Sequence, residues 1–425
     1  MNPRRRTQWA WALNGWANHG YATSVLVVLF PLFFDNYWAK SLPGTQSTAY
    51  LGWTNSAAGA VVMLLAPWLG ALADRRGCKK PFLAAFSLLG IAGTLGLATV
   101  GEGGWPLALL LFGISSVGFF GSYSFFDALL VQVATSEESD RVSAFGYAVG
   151  YLGGGLIFLF DVLLVLHPQA FGLADKVAAT RAAFVSVALW WALFALPLFR
   201  YVPEAPPTPE AAGLRELWDT VRHIAADAPV RNFLLGYWIY IDGLGTLQQM
   251  AVDFGKKMGF STDALIQALL LVQFVSFPAA LGFGRLAGAI GARRSIYLGL
   301  AVLTGVAGWS YFMRTESQFY AMAAVVGLVQ GGVQSLSRSF FARIIPPAKA
   351  GEYFGFYNFV GKFAAVLGPA MVGAVAVLSG NQRLSIVPLG VSFVVGGWLL
   401  SRVRLAGGGE AGPADGAAVE PAAGR

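Results

Sequence analysis

Gly70-Ala71-Leu72-Ala73-Asp74-Arg75-Arg76-Gly77-Cys78-Lys79-Lys80 closes one long apolar run of this chain, and Gly284-Arg285-Leu286-Ala287-Gly288-Ala289-Ile290-Gly291-Ala292-Arg293-Arg294 closes another. Both glycines and the final basic pair stay in register, at an offset of 214 residues (Gly70 to Gly284) in a chain of 425. Two membrane-embedded halves, each with a short Gly-plus-basic loop after its second span, have the plan of a carrier whose parallel repeats rock about a central cavity.

Composition agrees with that plan. Soluble domains are about 45–50% apolar and about 25% charged, whereas this chain is 56% hydrophobic and 12% charged, with a mean hydropathy of +0.60. A bilayer span needs about 20 mostly apolar residues, and twelve stretches qualify: 9–34, 51–73, 81–100, 105–133, 142–166, 177–198, 230–252, 264–290, 296–313, 320–342, 353–378 and 384–403. Backbone amides cannot stay unpaired in hydrocarbon, so all twelve are predicted helices. The expected fold is all-α, twelve transmembrane helices in two parallel six-helix repeats. The expected domains are a first bundle over 1–200, a linker with an amphipathic helix over 201–229, a second bundle over 230–405 and a disordered tail over 406–425.

An even number of spans puts both termini on one side. With the N-terminus placed inside, 20 basic residues fall on the inner side and seven on the outer, so both termini are expected in the cytoplasm. The expected location is the cell's inner (plasma) membrane. The same anchors account for a pI near 9.5 without a nucleic-acid partner, because they are spread over many loops. Asn14, Asn18 and His19 interrupt the first apolar run, which therefore reads as an uncleaved span and not a signal peptide. The single cysteine, Cys78, excludes an internal disulfide, and no cluster of metal ligands accompanies it, so neither metal nor cofactor is expected. Pro203-Glu204-Ala205-Pro206-Pro207-Thr208-Pro209 is a stiff linker, and Leu214, Leu217, Trp218, Val221 and Ile224 recur behind it at the spacing of a helix lying on a membrane surface.

Several residues stand out as carriers of the chemistry. Asp74, beside Arg75, Lys79 and Lys80, is placed to cap a neighbouring helix or pair with a basic residue and hold one conformation closed. The second copy has Gly288 at the acidic position, so this latch is expected to be asymmetric. Ionisable groups inside spans are functional candidates by default. Asp242, in Asp242-Gly243-Leu244-Gly245, resembles the broken half-helices that bind substrates and ions at the midplane; it is read as a proton carrier, or else as a structural hydrogen-bond partner. Asn14, Asn18 and Tyr21 share one polar helical face suited to line a wet cleft. His19 stands to one side of it, either a packing residue or a proton relay. Gln330 and Gln334 form a stripe with Arg338, and Asp127 ends the fourth span. Asp127 and Arg338 are expected to meet across the inner mouth as a gate or substrate clamp, unless Arg338 snorkels to the interface. Lys362, deep in the eleventh span, needs an anionic partner, for which Asp242 is the first choice. Asp161 has no evident partner in the sequence. One enzyme-like motif, His223-Ile224-Ala225-Ala226-Asp227, falls on the linker helix, where such patterns arise by chance.

At this point the residues resemble a known family. Trp16-Ala17-Asn18 with Tyr21-Ala22-Thr23 and Phe30-Pro31, the loop from Gly70 to Lys80, Arg141-Val142-Ser143 with Gly146-Tyr147 and Gly150-Tyr151-Leu152-Gly153-Gly154, and Tyr240-Ile241-Asp242-Gly243 are similar to the vacuolar amino-acid effluxer-like branch of the major facilitator superfamily. Gln334-Ser335-Leu336-Ser337-Arg338-Ser339 and Phe354-Gly355-Phe356-Tyr357 with Gly361-Lys362 extend the resemblance over nearly the whole chain, from Trp9 to Arg404. The resemblance implies a twelve-helix alternating-access carrier, with neutral amino acids as the substrate class of eukaryotic members. The family pattern also has an aromatic-acidic pair before Trp16 where this chain has Asn14-Gly15, so coupling here is expected to differ or to use His19.

The function expected from the sequence is secondary active transport of a small polar solute, a neutral amino acid being the first candidate. The coupling ion is a proton or sodium, and the working unit a monomer in the bilayer. The rival from another class is a non-transporting membrane receptor or scaffold that kept the fold. No nucleotide-binding loop points to ATP-driven pumping, and three scattered histidines do not make an enzyme site.

Overall fold

The computed structural model describes residues 2–207, 214–379, 384 and 386–403; within its helices the side chains at 44–45, 214–217, 249–250, 252–253, 257, 362–367, 369–370, 373 and 376–377 lie outside that description. Twelve long helices run through the described residues. The first six are α1 (Pro3–Trp38), α2 (Gly44–Arg76), α3 (Lys79–Leu97), α4 (Trp105–Ala128), α5 (Ser139–Leu166) and α6 (Lys176–Tyr201). After a linker helix, Leu214–Ala226, come α7 (Ala228–Lys257), α8 (Thr262–Ile290), α9 (Ala292–Ser310), α10 (Glu316–Ile344), α11 (Ala350–Ser379) and α12 (Pro388–Ser401).

Among the described residues, eight of these helices, α1 to α6 with α8 and α10, are long and apolar enough to cross a membrane by length and composition alone. Of the others, α7 carries Asn232, Asp242 and Gln248, α9 opens on Arg293-Arg294 and α12 has 14 residues, while α11 is 30 residues long with part of its side chains outside the description. Helix starts follow local chemistry. The Asp175 carboxylate accepts the Ala178 N–H at the head of α6, and Thr315 with Gln318 forms a reciprocal capping box on α10.

The repeat is visible in the helix starts, since Trp105 and Glu316 open α4 and α10, while Ser139 and Ala350 open α5 and α11, at one common offset of 211 residues. The two halves pack along α2 against α11 and α5 against α8. Backbones touch at the first of these seams. A Cβ on Gly70 would lie 2.2 Å from the Gly351 carbonyl oxygen, and one on Gly355 would lie 2.6 Å from Pro67 Cα, so only glycine fits there. Gly77 ends α2 at φ 61°, the left-handed cap that turns the chain into α3.

Two expectations change. The backbone of α7 runs unbroken through Asp242-Gly243-Leu244-Gly245, and Gly243 serves close packing, since a Cβ there would meet Phe393 and Ser392 of α12 at 3.0 and 3.3 Å. The irregular span is instead α1, which is π-helical over Tyr21–Leu29 and again over Phe34–Trp38. In the linker, the Glu204 carboxylate accepts the N–H groups of Lys79 (3.1 Å) and Lys80 (2.7 Å), which fastens the segment to the head of α3. Trp218 of the linker helix is 63% exposed, while Leu214 and Leu217 have side chains outside the description, as does the tail from residue 404.

Candidate functional site

The face of the bundle where α1 begins is closed by three polar latches, each joining the halves. The deepest is an ion pair: Arg338 Nη1 of α10 lies 2.9 Å from Asp127 Oδ1 of α4, and both side chains are buried. Arg338 Nε donates to Ser143 Oγ (2.9 Å) and Nη2 to the Ser143 carbonyl oxygen (3.0 Å), while the Ser143 hydroxyl donates to the Ser335 carbonyl oxygen at 2.7 Å. Asn358 Nδ2 of α11 donates to the other Asp127 oxygen at 3.4 Å. The rings of Trp11 and Tyr147 cover the guanidinium, with centroids 4.7 and 4.5 Å from its carbon. Trp11 is itself fixed by its Nε1–H, which donates to the Phe126 carbonyl oxygen at 3.0 Å. Arg338 therefore does not snorkel: its fork is filled by partners that a planar, always-charged group matches well.

The second latch is Asp74. Its two oxygens accept the N–H groups of Gly351 (3.1 Å) and Glu352 (2.9 Å), at the head of α11 in the other half. Lys79 Nζ pairs with the same carboxylate at 2.5 Å, and both side chains are buried. A carboxylate at a helix N-terminus meets unpaired amides and the positive end of the helix dipole. Lys80 lies apart from this pair and donates to the carbonyl oxygens of Phe199 (3.2 Å) and Val202 (2.8 Å); Arg75 is exposed at the end of α2. In the third latch, Asp140 of α5 accepts the Ser339 hydroxyl (2.6 Å) and Arg343 Nη1 (2.9 Å) of α10. The second loop copy is different. Gly288 has open space around it, and Gly284 packs on Ala144, so the seam of α5 with α8 carries no counterpart of Asp74.

Above the ion pair stand the groups of mid-depth. Trp11, Asn14 and Asn18 fall on one face of α1; both asparagines are fully buried, and neither their amide nitrogens nor oxygens have a partner among the described residues. Tyr21 turns into the first half, where its hydroxyl meets Ser115 (2.6 Å) and Ser116 (3.3 Å) of α4. His19 packs edge-on against Tyr147 and Tyr151 of α5, over Gly150, with Nδ1 3.1 Å from the Gly15 carbonyl oxygen. Gln334 accepts the Tyr151 hydroxyl at 2.6 Å, joining α10 to α5. Gln330 accepts from Gln248 (2.7 Å) and donates to Ser276 (3.0 Å), inside the second half. Asp242, 6% exposed, accepts the Gly368 N–H at 3.0 Å. The Lys362 side chain lies outside the described residues, and with it the expected pairing to Asp242.

Other neighbours of the axis carry weak sequence signals. Ser143 and Asn358 complete the ion pair, yet both are small polar residues of a kind common in spans. Tyr147 and Tyr151 sit one turn apart in the glycine-rich α5, and Tyr237 stacks on Tyr357 at 4.2 Å, bringing α7 against α11. A pair of tyrosines at such spacing marks a helix face without naming what it meets. The linker motif resolves into helix chemistry: Asp227 caps α7 through the Val230 N–H, and His223 Nδ1 lies 2.7 Å from the Asp219 carbonyl oxygen of its own helix.

Known proteins share this architecture. The family model described as vacuole effluxer Atg22 like matches residues 43–137 and 130–411. An uncharacterized MFS-type transporter, YxiO of Bacillus subtilis, is 36% identical over 394 residues, covering 91% of this chain and 92% of that one. Autophagy-related protein 22-1 of Penicillium rubens is 26% identical over 289 residues, 60% of this chain and 48% of its own, so the chain spans about half the length of that fungal relative. Among solved structures, the human organic anion transporter MFSD10 (TETRAN) superposes with a TM-score of 0.76 at 17% identity, over 94% of this chain and 100% of that one. The proton:xylose symporter XylE does so at 0.73 and 14% identity, over 94% and 96%. These last likenesses establish the fold. Together with the latches and the helical repeat, the family match identifies the chain as a multi-pass membrane transporter, not an enzyme, and a member of the Atg22-like family of the major facilitator superfamily.

Proposed function

We propose that the chain is a secondary active carrier of a small polar solute, with a neutral amino acid as first candidate, that works by alternating access in the inner (plasma) membrane. The observation that supports this most is the buried pair of Asp127 with Arg338, one residue from each half, at the mouth between them. With the guanidinium filled by Asp127 and Ser143, it acts as a gate and not as a clamp on solute. The unpartnered amides of Asn14 and Asn18 offer donors and acceptors to an uncharged polar molecule, with His19 next in the chain and Gln334 held by Tyr151, on which His19 packs. Asp242, held only by a backbone N–H among its described contacts, is the candidate for proton coupling. Both termini lie in the cytoplasm, by the excess of basic residues on that side, and the latches make this the state closed to the cytoplasm. One chain holds both halves and the gate, so a monomer suffices.

Uptake of candidate amino acids into proteoliposomes under an imposed proton gradient tests the proposal. Accumulation of one solute above its external level supports it. Binding without any flux, for every solute in an amino-acid and small-peptide panel, would favour the receptor reading.

A further inference from the structure

Asp161 lies about 33 Å along α5 from Ser139 at 1.5 Å per residue, in the part of the membrane away from the latches, and is fully buried. Its Oδ1 accepts the Ser186 hydroxyl of α6 at 2.8 Å. The other polar side chain beside the carboxyl is Ser24 of α1, a buried hydroxyl. Ser186 Oγ is also 2.8 Å from the Ala183 carbonyl oxygen, so its one hydrogen serves two acceptors.

The ionisable residues of the three helices around this carboxyl are placed elsewhere. On α1, His19 is against Gly15 and Tyr147, and Asp35 accepts the Ser47 hydroxyl. On α6, Arg181 donates to the Val100 carbonyl oxygen (3.0 Å) and the Tyr37 hydroxyl (3.3 Å), Asp175 caps the helix, and Lys176 and Arg200 are exposed near its ends. On α5, His167 is exposed just past the helix end, while Asp140 and Arg141 lie at the opposite end. An ionised carboxylate in this apolar shell, without a cation, is far costlier than a neutral acid.

We propose that Asp161, with Ser24 and Ser186, is a proton-binding site of the first half, occupied in the conformation seen here. Only two hydroxyls and no cation reach this carboxyl, and the Ser186 hydrogen is shared with a backbone carbonyl, so a proton on the carboxyl removes a charge that the cluster cannot balance. A hard metal cation fits less well, since such ions take about six oxygen ligands and three side chains converge here. Ser24 belongs to the π-helical stretch of α1, where regular backbone pairing is already broken. Its neighbour Thr23 accepts a hydrogen bond from Gln273 of α8 in the other half. The site is thus one residue from a contact that alternating access must break; only this consequence rests on the carrier reading.

Infrared difference spectra of the purified protein in lipid vesicles test the site without any solute. In the wild-type minus Asp161→Asn spectrum at neutral pH, the carbonyl stretch of a protonated carboxylic acid is expected to be lost from the variant. The same band should persist in Asp242→Asn and move to higher frequency in Ser186→Ala, which removes one of its hydrogen bonds; this second variant serves if Asp161→Asn does not fold. A spectrum that instead loses carboxylate stretches, with or without sensitivity to sodium, overturns the proposal, and sodium sensitivity would reassign the site to a metal cation. Failed uptake in proteoliposomes would leave this result standing, and failure here would leave the uptake result untouched.

Discussion

Asp127 and Arg338 occupy the same place in the two repeats: each lies 22 residues into its helix, counted from Trp105 and Glu316, and they pair with each other at 2.9 Å. Two equivalent positions of a two-fold repeat can meet only near its axis. Opposite charges there form the deepest of the three latches at this mouth, and parting the halves breaks the pair without disturbing either bundle internally.

Removing one partner of a buried ion pair leaves the other charged and unsolvated, which costs about 3–5 kcal/mol, whereas replacing both by apolar residues is often neutral. Arg338→Met and Asp127→Leu should each lower the thermal stability of the purified carrier markedly. The double variant Asp127→Leu/Arg338→Met should recover most of the loss. Additive losses in that double-mutant cycle would show that the pair is not coupled.

A side chain at Gly70 has no room while α2 lies against Gly351. Gly70→Val should therefore disfavour the latched state and expose groups behind it. In a Cys78→Ser background, thiol labelling of Ser335→Cys, a buried position, should speed up at least about tenfold, which corresponds to a shift of about 1.4 kcal/mol. An unchanged rate would mean that the seam of α2 with α11 does not move.

Asp242→Asn keeps an oxygen for the Gly368 N–H and removes the titratable group. Gradient-driven accumulation should fall to equilibration while solute exchange across the vesicle membrane continues. Full accumulation by the variant would remove Asp242 from the coupling step.

Cys78, partly exposed in the loop between α2 and α3, reports orientation as the only thiol of the chain. A membrane-impermeant maleimide should label it in inside-out vesicles and leave it unlabelled in intact cells. The reverse pattern would place both termini outside.

Much of this architecture is legible in the residues because hydrocarbon is a severe solvent. Apolar runs identify spans without knowledge of packing, and the costly exceptions Asp74, Asp127 and Arg338 mark where partners must exist. What a helical face meets is harder to read. Asn14, Asn18 and Tyr21 share a face by spacing, yet the Tyr21 hydroxyl is bound inside the first half by Ser115, and His19 beside it lies against Tyr147 and Tyr151. Lys79 reads only as one of the basic residues beside Asp74, and its full burial on that carboxylate depends on the helices packed around the loop. The π-helical stretches of α1 carry no such mark, because Tyr21–Leu29 is an ordinary apolar run whose register is set by its neighbours.

The rocking of two halves about the Asp127–Arg338 axis is tested most directly by distances between spin labels placed across the latched face, at Arg141 of α5 and Gly288 of α8, both exposed here. In lipid vesicles the account predicts a short separation as the main population, and in an Arg338→Ala background a second, longer one that grows at its expense. A single unchanged distance in both proteins, under every gradient and solute applied, would contradict it.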